Sequence, residues 1–155
     1  MNPSMPELKS KFLFTIRVTV NLLHDVGETP FGTRHIDMLG DGSFKGPKLN
    51  GTVLGGMDQK IFRSDGAMNP NVRLILKTDD DALIYMHYTG VRYGSEVVMQ
   101  RIADGEVVDP SEYYLRNTPY FETSAPQYDW LNHIVSVGVG RRMPDHAAYD
   151  VFQIL

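Results

Sequence analysis

Asp58, Arg73 and Tyr88 are the residues of this 155-residue chain whose types and spacing could do chemistry together. They stand in the stretch GTVLGGMDQKIFRSDGAMNPNVRLILKTDDDALIYMHYTG, Gly51 to Gly90. Asp58 follows Gly55-Gly56, where a backbone bends readily, and begins a predicted strand. A desolvated carboxylate at such a place has a raised pKa and can serve as a general base. An aspartate after a glycine pair is equally at home as a cap or turn-bonding residue. Arg73 and Arg34 carry the planar fork that suits a carboxylate, enolate or phenolate oxygen. Tyr88 or Glu122 would supply the acid. With Arg116, these residues make three arginines and two carboxylates, a nearly balanced network if they point inward. Such a network either orders a barrel interior by itself or leaves one arginine free for a ligand. Glu122, beside Tyr120 and Phe121, suits the surface of a two-faced strand as well as it suits a site. Tyr128 and Trp130 lie in one tight segment, as part of a ligand-covering lid or as a plug for the end of the fold.

Composition removes several classes of function. A net charge of -4 and no basic tract longer than Arg141-Arg142 argue against nucleic acid and anionic membrane as partners. The chain has no cysteine, which excludes disulfides, thiolate nucleophiles and zinc ribbons. His24, His35, His87, His133 and His146 show no paired metal spacing, so no metal is expected, and no cofactor-binding motif is present. The start, MNPSMPELKSKF, lacks an apolar signal core, and no run has the length of a bilayer span. A cytoplasmic location is the expectation.

Elements that would position these residues are mostly strands. Phe12 to Asn21 alternates cleanly, with Phe12, Phe14, Ile16, Val18 and Val20 on one face. Thr33 to Met38 reads as a second strand, Asp41-Gly42 as a turn, and Leu49 to Leu54 as another short strand before a bulge or bend at Gly55-Gly56. Met57 to Arg63, Val72 to Thr78 and Ala82 to Tyr88 form a meander across Ser64-Asp65-Gly66 and Asp79-Asp80-Asp81. Ser95 caps a predicted helix ending near Ala103, with Gly105 as its stop. Ile134 to Gly140 and Ala147 to Ile154 close the chain. Residues 1–155 make one domain, with residues 1–9 a loose leader. Roughly eight to ten strands with one short helix imply a sandwich or a barrel. Pairing the first long strand with the last removes both edges, which favours a closed antiparallel β-barrel.

Several segments together resemble an uncharacterised family of small bacterial and fungal proteins, domain of unknown function 3237. They are Gly32-Thr33-Arg34, GSFKGPKLNGTVLGGMD (Gly42 to Asp58), Ser64-Asp65-Gly66, Val72 to Gly90, YYLRNTPYFET (Tyr113 to Thr123), YDWLN (Tyr128 to Asn132) and the tail YDVFQIL. The resemblance implies a closed antiparallel barrel with a lipocalin-like outline and says little about reaction. Gln59 stands where the family often has tryptophan, and Asp81 where its turn usually has glycine.

These readings converge on a small-molecule pocket. The first expectation is a cofactor-free acid/base enzyme, an isomerase, cyclase or lyase, acting on a small aromatic or enolisable substrate. In it Asp58 is the base, Arg73 and Arg34 hold the anion, and Tyr88 or Glu122 is the acid. Arg116, Tyr128 and Trp130 would complete the ligand wall. The alternatives are a non-catalytic binding barrel with the same pocket, and an interaction module with a packed interior. Homo-oligomers are compatible with all three.

Overall fold

A computed structural model describes residues 3–155. Residues 1 and 2 of the expected leader lie outside them; residues 3–9 carry no regular structure. The strands are β1 (Ser10–Thr29), β2 (Gly32–Lys45), β3 (Asn50–Asp58), β4 (Ile61–Phe62), β5 (Met68–Asn69), β6 (Asn71–Thr78) and β7 (Leu83–Gly94). Helix α1 (Glu96–Ala103) follows, then β8 (Tyr113–Asn117), β9 (Tyr120–Glu122), β10 (Ser136–Arg142) and β11 (His146–Ile154). Ser95 caps α1 by accepting from the Val98 amide, and Gly105 adopts φ 80° just past its end, as the sequence predicts.

Every pairing is antiparallel, and the strands close on themselves. The circuit runs β1-β11-β10-β8-β7-β6-β3-β2 and returns to β1. The first strand pairs with the last over Ser10 to Thr19, so the barrel is sealed where the termini meet. At one end the wall changes hands. Strand β3 stops at Asp58 and β6 starts opposite it, and beyond them β4 pairs β2 while β5 pairs β7 at Met68 and Arg92. Asp58 therefore sits at the seam between two wall segments.

Local geometry departs from the simple alternation in three places. A bulge between Phe12 and Phe14 turns Leu13 and Phe14 into the core and leaves Phe12 outside, edge-on to Phe152. Asp41-Gly42 is no turn: Asp41 takes φ 42°, and β2 runs through it as one strand facing an irregularity in β1. Strand β1 likewise continues through the expected Gly27 to Gly32 loop as far as Thr29. The predicted bulge at Gly55 is present, between Val53 and Gly55. Asp81 adopts φ 68° in the β6–β7 turn, a conformation aspartate tolerates.

Inside the barrel the contents separate by polarity. One half is apolar, built on Phe14, Ile16, Phe44, Leu74, Leu76, Met86 and Val151, with Phe14 set edge-on to both Phe44 and Phe121. Each such side chain contributes about 1.5–3 kcal/mol by leaving water. The segment Pro126–His133 lies against this core through Tyr128, Trp130 and Leu131. The other half, beyond Val72 and Leu39, is polar.

Close strand approach constrains one glycine beside the seam. A Cβ on Gly56 would strike the carbonyl oxygen of Arg73 on the neighbouring strand. Gly56→Ala is expected to destabilise the protein by about 2 kcal/mol or more, read as a lower midpoint in urea unfolding. An unchanged midpoint would mean that the β3–β6 seam can spread.

Candidate functional site

Two carboxylates face each other across the β2–β3 pair, because Asp37 and Asp58 are register partners. Asp37 is fully buried and Asp58 is 8% exposed. Like charges opposed on one sheet face repel, so cations must compensate. Lys60, just past β3, places its Nζ 2.6 Å from Asp37 Oδ2 and forms an ion pair with it. Arg92 on β7 and Arg142 at the end of β10 approach from the other side. Tyr88 and Tyr149 complete the ring, their aromatic planes tilted with centroids 5.3 Å apart. Tyr113 accepts a hydrogen bond at its hydroxyl from the Arg142 amide, 2.8 Å away.

These side chains surround a cavity of about 40 Å³ lined by Asp58, Lys60, Tyr88, Arg92, Arg142 and Tyr149, with Val72 and Leu115 among its apolar walls. That volume admits water or a small functional group. It is well below a typical ligand pocket; Lys60 and Arg142, in its wall, are both long and incompletely buried.

Burial sets the electrostatics. Desolvation pushes the Asp58 carboxyl up to about 6. The hydrogen bond from the Asn71 amide to Oδ1, at 3.0 Å, and the charges of Lys60 and Arg92 oppose that rise, whereas Asp37 adds to it. Among the described residues, Asp58 Oδ2 takes no hydrogen bond. Desolvation first pushes the Tyr88 and Tyr149 phenols up. Tyr149 and then Asp58 add to the rise of Tyr88, and Asp58 adds to that of Tyr149 while Arg92 and Arg142 oppose it, so both remain protonated donors at neutral pH. Desolvation also lowers Arg92 and Arg142, with Arg142 adding to the effect on Arg92.

The residues singled out in the sequence divide. Asp58 and Tyr88 meet at the cavity. Asp58 also bonds the Asn71 amide, so the chemical and the turn-bonding readings of it describe the same side chain. Arg73 does not join them: it shares the outward phase of Ile75 and Lys77 and bonds Asn71 Oδ1. Arg34 donates to the Gln59 carbonyl at 2.8 Å and lies outside the cavity wall. Arg116 stacks over the Tyr114 ring on the outer face, 4.9 Å from its centroid. Glu122 is exposed on β9. Tyr128 bonds Asp80 at 2.7 Å, beside the β6–β7 turn, so it and Trp130 close the far, apolar end and act as the plug, away from the cavity. The proposed balanced network is thus replaced by Asp37, Asp58, Lys60, Arg92 and Arg142. Of these, Arg92 carried a readable signal, the same parity as buried Ile84, Met86 and Tyr88.

Among the described residues no group of three or more His, Asp or Glu is arranged to hold a metal ion, and no helix is long and apolar enough to cross a membrane.

Comparison with known proteins places this geometry among relatives. A family model described as Protein of unknown function (DUF3237) matches residues 8–154. A UPF0311 protein of Rhodopseudomonas palustris is 34% identical over 151 residues, covering 97% of this chain and 99% of that one. The crystal structure of a conserved R. palustris protein of unknown function superposes with TM-score 0.93 at 34% identity, covering 97% of this chain and 100% of that one. A β-barrel-like protein from Acinetobacter baumannii gives TM-score 0.85 at 35% identity, covering 98% and 99%. More distant is a protein of Penicillium herquei named as a hydroalkoxylation enzyme, 22% identical over 152 residues, 98% of this chain and 86% of that one.

Proposed function

The chain belongs to the family described as Protein of unknown function (DUF3237), and on that premise we propose that it is an acid/base enzyme acting on a small molecule whose reacting end enters the Asp58 cavity. The observation that carries this reading is one carboxylate, pushed up to about 6 by burial, lining a cavity together with two buried tyrosines, Tyr88 and Tyr149. Catalytic bases work best with a pKa near the working pH, and clustered perturbed groups in a cleft mark functional sites. Asp58 takes the proton, and Tyr88 or Tyr149 donates to the oxygen on which charge develops.

The name of the Penicillium relative supports a reaction of this class. Hydroalkoxylation adds an O–H across a C=C: the base removes the hydroxyl proton, oxygen bonds one alkene carbon, and a proton is delivered to the other. Atoms balance, and no oxidant or reductant is consumed. The substrate class we propose is an aromatic hydroxyl compound bearing an alkenyl or enolisable group. A binding-only role is the second reading, favoured by the hydrogen bond that Asp58 already makes to Asn71.

Turnover of 2-alkenylphenols and aryl ketones in D₂O, followed by NMR, tests the proposal. Solvent deuterium should appear at carbon in the product. As Asp58 is the base, kcat/KM should rise with pH and level off above about 6. A flat profile between about pH 5 and 7 would remove Asp58 from the chemistry, and saturable binding without turnover would leave the binding barrel.

A further inference from the structure

We infer that this site takes its ligand as an oxyanion, a phenolate, enolate or carboxylate oxygen held between the guanidinium groups of Arg92 and Arg142. The inference rests on the reading of the Asp58 cavity as the working site and adds the charge state of what enters it. Three cations, Lys60, Arg92 and Arg142, meet two carboxylates, Asp37 and Asp58, so the cluster carries a net charge of +1 when all are ionised. Lys60 is engaged by Asp37. The excess charge therefore lies with the arginines.

Their donors are unfinished. Arg92 is 7% exposed, and its Nε is a buried donor without a hydrogen-bond partner; Arg142 Nη1 is another. A buried guanidinium N–H left unpaired costs about 1–3 kcal/mol or more, and a planar, charged acceptor recovers most of that. A neutral ligand of the same shape does not. Both arginines line the same cavity, alongside Tyr88 and Tyr149.

An arriving anion also changes Asp58. The groups facing this carboxyl are Asp37 from β2, Lys60 from the β3–β4 link, Tyr88 and Arg92 from β7, Arg142 from β10 and Tyr149 from β11, with Tyr113 of β8 behind Arg142 and Tyr149. An added negative charge cancels the excess positive one and stabilises protonated Asp58. Anion and proton should be bound together.

Titration with 4-nitrophenol, its methyl ether 4-nitroanisole, and benzoate reads this directly. Either anion should bind at least tenfold more tightly than 4-nitroanisole, and 4-nitrophenol should show the absorption band of its phenolate. Preference for 4-nitrophenol assigns the site to phenolates and enolates, and preference for benzoate assigns it to carboxylates. Arg92→Met and Arg142→Met should each weaken binding at least tenfold. Equal binding of 4-nitroanisole, or no binding of either anion, overturns the inference. A second measurement needs no variant: calorimetry of benzoate binding near about pH 7, in buffers of different ionisation enthalpy, should show net proton uptake, and binding without uptake overturns it. Asp58→Asn separates this inference from the catalytic reading. It should keep or strengthen anion binding while losing turnover. An Asp58-dependent rate profile with no anion preference would sink the oxyanion inference alone.

Discussion

Asp58→Asn is expected to lose turnover by about 10²–10⁴-fold, the usual contribution of a positioned base, and at the same time to gain stability at neutral pH. The gain follows from linkage. The folded protein holds the Asp58 proton up to about 6, against 3.8 for a free aspartate. Between those values the folded state binds more protons than the unfolded chain, so wild-type stability falls as pH rises through that window. The shift amounts to about 3 kcal/mol once the carboxyl is ionised in both states. Asparagine keeps an acceptor for the Asn71 amide at Oδ1 and carries no charge to desolvate. The variant's stability should therefore be flat where the wild type declines. Urea unfolding at about pH 4 and about pH 8 measures it: the two proteins differ little at the lower pH, and the variant leads by up to about 3 kcal/mol at the higher. Stability without activity is the mark of a group retained for chemistry at a structural cost. A variant that loses stability at both pH values would make Asp58 a structural residue.

Parity along strands was enough to find part of this site. The alternation Val72, Leu74, Leu76 against Arg73, Ile75, Lys77 identifies two faces, and apolar burial decides which one points inward. Arg73, expected to hold the anion, lies on the charged face, and its side chain stays in water. Arg92 obeys the rule that Arg73 breaks. Its parity matches Ile84, Met86 and Tyr88, but the strand expected from the sequence stops at Tyr88. In the structure β7 continues through Gly90, whose lack of a Cβ lets the Arg116 carbonyl on β8 approach closely. Closure of the barrel was readable, since long strands at both ends of the chain must cover their edges. The handover from β3 and β6 to β4 and β5 was not. It depends on pairings between segments far apart in sequence, and it is what carries Lys60 to Asp37 and sets Arg92 opposite Met68. Asp37 shares a strand face with His35 in the sequence, and nothing local marks it as fully buried.

Lys60→Met should produce the largest loss of stability of any substitution in this cluster. Its ammonium is the ion partner of Asp37, which has no access to water. Removing one partner of a buried pair strands the other charge, at about 3–5 kcal/mol, and here the stranded carboxylate faces a second one at Asp58. Methionine fills most of the lysine stem's volume, so the loss reads charge more than packing. The double variant Lys60→Met/Asp37→Asn removes both charges and should recover most of the loss, with the coupling measured by a double-mutant cycle in urea at about pH 7.5. Lys60 also holds the Asp58 pKa down. In Lys60→Met the rising limb of the rate profile should therefore move to higher pH, and in the double variant it should move back toward the wild-type position, because Asp37 pushes the Asp58 pKa the other way. A single-variant loss below about 1 kcal/mol would mean that water reaches this pair as it reaches surface ion pairs. The +1 balance that directs an anion to Arg92 and Arg142 would then lose its low-dielectric setting. Parallel movement of the stability and the rate profile would tie the fold's most costly interior charges to the same cavity that does the chemistry.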